Sequence, residues 1–415
     1  MVTYSVTKKD RNLSGEVSLA PSKSISNRKI VIRAVKNAKL DIKNLADKEA
    51  DKLFDENIRQ SESNIELGQT GVAIRLLRAV LTYFGGEWIV TGSEEMRKRP
   101  IGDVIELLQA NGFDIKFLER TGFPPLKIIA KGFRGSISRI EAAICGQFVT
   151  VTLSISPSLS TDDFLGLRGK IKNSPYVTQT FKMLNMLGIN SGWKMDEMLI
   201  DHGYHDGSEL AVEADWTSAG YWYEMAALAE NVDLKINGMN PDSIQSDAIV
   251  KEIFEPLGVK TEETENGISL KKVKCKLKKF EYDFTNNPNL VPTLIATCVG
   301  MGLPFEFTGV DSLRLKDSDR LMVLQSQMAV VGAELVVKTT KNGDVITFDG
   351  KVNNAKKEGF TFNTFDDHRV LMSLAPLTLS HGNIGLDYPN AVHKSYPCFW
   401  QDLKKVGFEV EQKNS

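Results

Sequence analysis

Residues 20–35 read APSKSISNRKIVIRAV (Ala20–Val35). Small and polar residues crowd the first half, and the second half is apolar at helical spacing. Pro21 stands just before or at the start of this helix, where its missing N–H costs little. Ser24 and Arg28 are four apart and share one helical face. Lys23, Arg28 and the free N–H groups of the first turn would gather at a helix N-terminus, where anions bind. Taken alone, the segment also reads as an ordinary capped helix with solvated charges.

The same grammar recurs along the chain. A polar or small-residue loop followed by a short apolar run also occurs at 68–84 (GQTGVAIRLLRAVLTYF), 145–155 (CGQFVTVTLSI), 215–229 (DWTSAGYWYEMAALA), 286–301 (NNPNLVPTLIATCVGM) and 366–379 (DDHRVLMSLAPLTL). In 147–155, QFVTVTLSI alternates apolar and polar residues as a strand does, and only its place in the series makes it a helix. Strand-like stretches ending in Gly lie between the runs, at Glu87–Gly92, Leu126–Gly132, Val232–Gly238 and Pro304–Gly309. Amphipathic helices are predicted over Gly102–Phe113, Thr178–Ile189 and Arg320–Leu335. Six such units predict a pseudo-symmetric α/β protein, three units to a half, with one helix set central and another outside. The midpoint falls near the Gly- and charge-rich stretch Tyr204–Asp215, and a cleft between halves is the default place for a ligand.

The chain of 415 residues has the length of two or three domains. Its 42% apolar and 25% charged residues are those of a globular protein with ample core. A net charge of -2 argues against a general nucleic-acid or membrane surface, while leaving room for a local basic cleft. Cys145, Cys275, Cys298 and Cys398 form no CxxC pair, so neither a disulfide framework nor a zinc site is expected, and a reducing cytoplasm fits. The first residues have no apolar core of signal-peptide length, and no apolar run is long enough to span a bilayer.

Cationic motifs stand at the starts of the runs or just after strands: MRKRPIG (Met96–Gly102), LRLKDSDRL (Leu313–Leu321), DDHR (Asp366–Arg369) and VHKSYP (Val392–Pro397). Lys316 and Arg320, four apart, are expected on one helical face. Each motif has a plainer meaning: a solvated basic run, a helix laced by ion pairs, a structural histidine. Together, in a chain of near-zero net charge, they suit a small ligand with several negative groups held by bidentate arginines.

These strings, in this order and at these separations, resemble the EPSP synthase (3-phosphoshikimate 1-carboxyvinyltransferase) family over essentially the whole chain. WTSAGYWYE (Trp216–Glu224) and HKSYPCFWQDL (His393–Leu403) are similar to the Bacteroidetes-type versions. The resemblance implies an α/β fold of two pseudo-symmetric domains, each of three βαβ-containing units, with helix N-termini facing an interdomain cleft. The N-terminal lobe is expected over 20–212, on the shikimate 3-phosphate side, and the C-terminal lobe over 1–19 plus 213–415, on the phosphoenolpyruvate side. It further implies transfer of the enolpyruvyl group of phosphoenolpyruvate to the 5-hydroxyl of shikimate 3-phosphate, with release of phosphate, in the shikimate pathway of aromatic amino acid biosynthesis. No cofactor or metal, no nucleic-acid or membrane partner, a monomer and a cytoplasmic location are expected with it.

By the same resemblance, shikimate 3-phosphate is held by Lys23, Ser24, Arg28, Cys145, Gly146, Gln147, Asn173, Tyr176, Asn289, Ser312 and Lys316. Phosphoenolpyruvate is held by Lys23, Gly71, Arg99, Gln147, Arg320, Arg369 and Lys394. Lys23, Asn289, Lys316 and Asp317 stand at the catalytic positions. The chemistry is addition then elimination through a tetrahedral ketal. It needs a base for the hydroxyl, an acid for the methylene carbon and cations for the departing phosphate.

The chain departs from the family pattern at several of these places. The loop usually reading N-A-G-T-A-M-R is Gln69–Arg75, Ser-Ser-Gln is Cys145-Gly146-Gln147, and Asn173 stands for a serine. Ser312 stands where some members have Asn. Asn289 replaces an aspartate thought to act as base, and an amide cannot accept a proton at neutral pH although it can orient a hydroxyl. Asp317 replaces a glutamate proton donor one methylene longer. Three readings follow: the family's enzyme, impaired or using another base such as Asp317 or Asp283; a catalytically inactive homologue that binds anionic ligands; and a sister transferase acting on a UDP-sugar. The last typically carries a loop cysteine, which GSEEMRKRPIG (Gly92–Gly102) lacks.

Overall fold

The computed structural model describes residues 2–35, 62–66, 86–91, 94–98, 101–102, 105, 109, 114–130, 140–141, 153, 167–168, 174–194, 197–200, 211–316, 318–353 and 359–414. The chain divides into two compact units, residues 1–20 with 213–415, and residues 21–212.

The unit formed by 1–20 and 213–415 contains three four-stranded sheets of one topology. In the first, Asn12–Ser18 runs parallel to Asn231–Asn237, which pairs antiparallel with Gly267–Lys272, which pairs antiparallel with Val259–Thr264. The second repeats this with Phe280–Asp283, Phe305–Thr308, Gly343–Phe348 and Val336–Thr340. The third uses Phe360–Phe362, Ile384–Asp387, Val2–Thr7 and Glu409–Asn414, so the opening strand of the chain completes the last sheet. Each parallel pair needs a crossover, and a helix supplies it. Those helices are Trp216–Leu228, Val291–Met301 and His368–Leu374. Within Asn231–Asn237, Val232, Leu234 and Ile236 are buried while Asp233 and Lys235 are exposed, the period of two that one covered face demands.

The three crossover helices are the central set. Every residue of Trp216–Leu228 except Thr217 is buried, as is every residue from Val291 to Val299. A helix buried all round belongs in a core rather than on a surface. They pack on one another, closely enough that a Cβ on Gly300 would stand 2.7 Å from Leu228 Cδ2 and 3.1 Å from Leu377 Cδ2. A larger residue there would push the Leu228 and Leu377 side chains aside. The outer helix Arg320–Val330 is amphipathic and ends at Gly332, whose φ of +79° breaks the expected run to Leu335. The run at 366–379 is likewise broken: Pro376 has no N–H to donate, and a 3₁₀ turn over Ala375–Leu377 separates His368–Leu374 from Thr378–His381.

The unit 21–212 carries the same elements. Glu62–Glu66 is parallel to Gly86–Thr91, which pairs with Leu126–Ala130, which pairs with Asp114–Phe117, again the order of the other three sheets. A parallel pair, Ile140–Glu141 with Leu167–Arg168, and a hairpin, Ser191–Lys194 with Glu197–Ile200, belong to further sheets. Helices span Lys23–Val35 and Ser174–Met186. The run at 68–84 lies outside the described residues. So does the run at 145–155 except for Leu153, which is helical and buried. Of Gly102–Phe113, the described residues Gly102, Ile105 and Gln109 are helical.

Candidate active site

In the unit 21–212 the expected anion site is built on the Lys23–Val35 helix. Ser22 caps it, its hydroxyl accepting from the Ile25 N–H at 3.4 Å. Arg28, one turn in, bends back along its own helix. Its Nη1 donates to the Ser24 carbonyl at 2.7 Å and to the Ser24 hydroxyl, and its Nε donates to Thr180 Oγ1 at 3.1 Å. Thr180 and Tyr176 lie on the Ser174–Met186 helix, and the Tyr176 ring centroid is 6.0 Å from the guanidinium carbon. The Ser24 hydroxyl donates to Gln179 Oε1 at 3.3 Å.

Two features of this cluster are chemically incomplete. Arg28 is 7% exposed and has no carboxylate partner among the described residues. Burial pulls its pKa down to about 10, against a smaller opposing effect of the Tyr176 phenol, so it remains a cation at neutral pH. The Gln179 Nε2 is buried and has no partner among the described residues. A buried charge is normally paired, and a buried donor normally bonded. Among the described residues, the cluster holds a positive charge and a buried donor with no carboxylate to meet them.

In the other unit the cations are handled differently. Asp319 caps Arg320–Val330, and Asp367 caps His368–Leu374. The Asp367 carboxylate does two jobs. Its Oδ1 accepts from the N–H groups of Arg369 (3.0 Å) and Val370 (3.4 Å), and its Oδ2 accepts from Arg320 Nε (2.7 Å) and Ser318 Oγ (3.0 Å). Arg320 is 2% exposed and Asp367 fully buried. Lys394 Nζ donates to the Asp366 carbonyl at 2.7 Å and its carboxylate at 2.6 Å. Phe365 and Asp366 both have φ of +55°, a left-handed pair that costs about 1–3 kcal/mol per residue and sits immediately before the His368 helix start.

A polar network lies at the starts of the first two central helices of this unit. Asp215 caps Trp216–Leu228. Burial raises its carboxyl above the ordinary range, and Arg369 partly opposes the rise. Thr217 Oγ1 donates to Asp247 Oδ2 at 2.6 Å. Asn287 Nδ2 donates to Asp247 Oδ1 at 3.2 Å, and Asn289 Nδ2 approaches Asp247 Oδ2 at 3.4 Å. Tyr221, one turn inside Trp216–Leu228, is 1% exposed, and its hydroxyl has no partner among the described residues. Burial pushes its pKa up to about 12, against the opposing fields of Arg369 and Arg320.

The structure thus brings Ser24, Arg28 and Tyr176 together in one unit, with Lys23 opening the same helix. In the other, one carboxylate, Asp367, takes the Arg320 guanidinium and the Arg369 backbone N–H. Ser312 lies in a 3₁₀ turn over Asp311–Leu315. One expectation fails: Lys316 and Arg320 do not share a helical face. Asp319 caps the helix at Arg320, and Lys316 is extended (φ -94°, ψ -156°), ending the preceding 3₁₀ turn. Lys394 ends a 3₁₀ turn, Pro389–Lys394, rather than starting a helix. Asp283, a proposed alternative base, is an exposed strand-end residue whose carboxylate accepts from Thr285 N (2.9 Å) and Oγ1 (2.6 Å). Gly71, Arg99, Cys145, Gly146, Gln147, Asn173 and Asp317 lie outside the described residues. Sequence reasoning missed Gln179, Tyr221, Asp247 and the pairing role of Asp367. For Asp367 a signal existed, since Asp directly before an apolar helical run is a cap.

The model of the EPSP synthase (3-phosphoshikimate 1-carboxyvinyltransferase) family matches residues 46–403. A protein of Bacteroides fragilis (strain YCH46) named 3-phosphoshikimate 1-carboxyvinyltransferase is 32% identical over 400 residues, covering 96% of this chain and 97% of that one. A Sulfurovum sp. (strain NBC37-1) protein of the same name is 28% identical over 425 residues, covering 95% and 97%. Among solved structures, EPSP synthase from Acinetobacter baumannii matches with a TM-score of 0.76 at 19% identity over 100% of both chains. The enolpyruvyl transferase NikO from Streptomyces tendae matches with 0.73 at 14% identity, over 100% and 99%. These last two likenesses describe the fold, mixed α/β like that of the enolpyruvyl transferases. With the family match over most of its length and a relative above 30% identity across nearly all of it, the chain belongs to the EPSP synthase family.

Proposed function

We propose that this chain catalyses its family's reaction, transferring the enolpyruvyl group of phosphoenolpyruvate to the 5-hydroxyl of shikimate 3-phosphate. The hydroxyl oxygen adds to C2 of phosphoenolpyruvate while C3 gains a proton, giving a tetrahedral ketal. C3 then loses a proton as the C2–O bond to phosphate breaks. The observation that carries the assignment of ligands is Arg28, a buried guanidinium beside a buried amide donor, neither of them met by a carboxylate among the described residues. An anionic ligand with several acceptor oxygens, such as a phosphate monoester, supplies what that cluster lacks.

In this proposal Lys23, Ser24, Arg28 and Tyr176 hold shikimate 3-phosphate, with Asn289, Ser312 and Lys316 toward its reacting side. Arg320, Arg369 and Lys394 hold phosphoenolpyruvate and stabilise the departing phosphate. The Asp367 and Asp366 contacts support this, since they hold Arg320 and Lys394 in place before a ligand arrives. A cytoplasmic location is part of the proposal: Cys275, Cys298 and Cys398 are free thiols, and no helix among the described residues is long and apolar enough to cross a membrane.

The test is phosphate release from phosphoenolpyruvate with and without shikimate 3-phosphate. Release that requires both substrates is expected. Release without shikimate 3-phosphate would contradict the transfer reaction. Calorimetric binding of both ligands with no release would establish the inactive, ligand-binding homologue instead.

A further inference from the structure

Asp247 lies on the 3₁₀ turn Ser246–Ile249, 3% exposed, with a complete set of donors around it. Its Oδ2 receives the Thr217 hydroxyl at 2.6 Å and faces the Asn289 amide nitrogen at 3.4 Å. Its Oδ1 receives the Asn287 amide at 3.2 Å. Those three partners come from three different elements: the first central helix, the loop before the second, and the 3₁₀ turn Pro288–Leu290. A carboxylate accepts and does not donate, so it dictates which end of each amide it faces. The Asn289 NH₂ must turn toward Asp247, and the amide oxygen must then point away from it.

We propose that Asp247 is a positioning residue for the transfer reaction: it fixes the orientation of the Asn289 amide, so that position 289 offers an oxygen acceptor to the substrate hydroxyl. This inference rests on the function proposed above. It also says why an amide is tolerated at position 289. A carboxylate there would lie against the Asp247 carboxylate, and two carboxylates sharing one site cannot both ionise readily. Among the described residues, the ionisable groups coupled to Asp247 include Asp215, on which the cation Arg369 also acts, and Tyr282, a half-buried phenol whose pKa burial raises, with Glu252, Asp283 and Asp247 adding to the rise.

Exchanging the two residues tests this. Asp247→Asn alone brings a donor into a site built of donors, so one of its amide partners, Asn287 or Asn289, must turn or lose its bond. Asn289→Asp alone creates the carboxylate pair. The double exchange, Asp247→Asn with Asn289→Asp, restores one donor facing one acceptor, and the Thr217 hydroxyl can accept where it formerly donated. Activity, read as phosphate release with both substrates, should fall about ten- to hundredfold in kcat in Asp247→Asn. The double variant should recover most of it, with KM little changed throughout. A second readout does not depend on turnover. In protein carrying ¹³C-labelled aspartate, Asn289→Asp should show a carboxyl titrating well above the ordinary range, and the double variant should not. If wild type releases no phosphate, the functional reading fails, while the titration still decides whether positions 247 and 289 are coupled. Two independent, multiplying losses of kcat, with no raised carboxyl in Asn289→Asp, would overturn the proposal. A raised carboxyl together with recovery in the double variant would establish it.

Discussion

Arg28 and Arg320 each lie near the start of a helix, and each is buried, 7% and 2% exposed. They differ in what surrounds the charge. Arg320 is neutralised by Asp367, a fully buried carboxylate that also caps the next central helix. Arg28 is held by a carbonyl, two hydroxyls and an aromatic ring, all uncharged. The first arrangement is complete without a ligand and spends its carboxylate on fixing a geometry. The second has no negative partner among the described residues. One buried cation is thus fixed by a charged partner and the other by uncharged ones, and the two should fail differently when broken.

The largest effect belongs to the compensated pair. Asp367→Ala would strand Arg320 and uncap a helix, and chemical denaturation should show a loss of about 3–5 kcal/mol. Adding Arg320→Met should restore much of it, because the isolated charge is the source of the loss. A loss unchanged by the second substitution would mean that the cap, not the pair, carries the stability.

Glu224 sharpens the contrast, being a buried acid neither of whose oxygens is bonded among the described residues. Burial alone raises its carboxyl well above the ordinary range. The folded state therefore holds a proton that the unfolded chain releases above pH ~4.5, the ordinary glutamate range. The contribution is fully present below the unfolded pKa and is lost as pH rises through the folded one, by up to about 1.4 kcal/mol per pH unit. Urea unfolding at pH 5 and pH 8 should show this fall in wild type and a flatter dependence in Glu224→Gln. Equal slopes in the two proteins would contradict it.

Two smaller effects follow. Tyr221→Phe removes only an unpartnered buried hydroxyl, and the free protein should gain about 1 kcal/mol, the low end of what leaving such a group unbonded costs. A loss of that size in thermal unfolding would show a bond to the hydroxyl in the free state. Arg28→Met should leave stability within about 1 kcal/mol of wild type, the usual span of mutations that break no buried network. Both groups it abandons keep other partners, Thr180 with the Tyr176 carbonyl at 3.0 Å and Ser24 with Gln179 at 3.3 Å. A large destabilisation would make Arg28 a charge the fold needs even without a ligand.

Much of this was legible in the sequence wherever the physics is local. The Lys23 helix start, its serine cap and the Ser24–Arg28 pairing all lie within one turn and a half, the range over which spacing alone decides contact. The loop-and-helix units at 20–35, 215–229, 286–301 and the start of 366–379 were legible for the same reason. The helix across Lys316–Arg320 was misjudged because four-residue spacing implies a shared face only if no cap intervenes, and Asp319 is that cap. The Asn289–Asp247 contact joins residues 42 apart, and the Arg320–Asp367 pair residues 47 apart. No periodicity reports such contacts, because tertiary packing creates them. Glu224 and Tyr221 were hidden differently, as polar residues inside a helix buried on all sides, where composition suggests only core.

The central claim is that the uncompensated Arg28 charge seats the phosphoryl group of shikimate 3-phosphate. Calorimetric titration of shikimate 3-phosphate into wild type and Arg28→Met tests it most directly. The account predicts that a variant as stable as wild type loses about 2–5 kcal/mol of binding free energy, the range for truncating one partner of a buried charge pair. Wild-type affinity in the folded variant would contradict it.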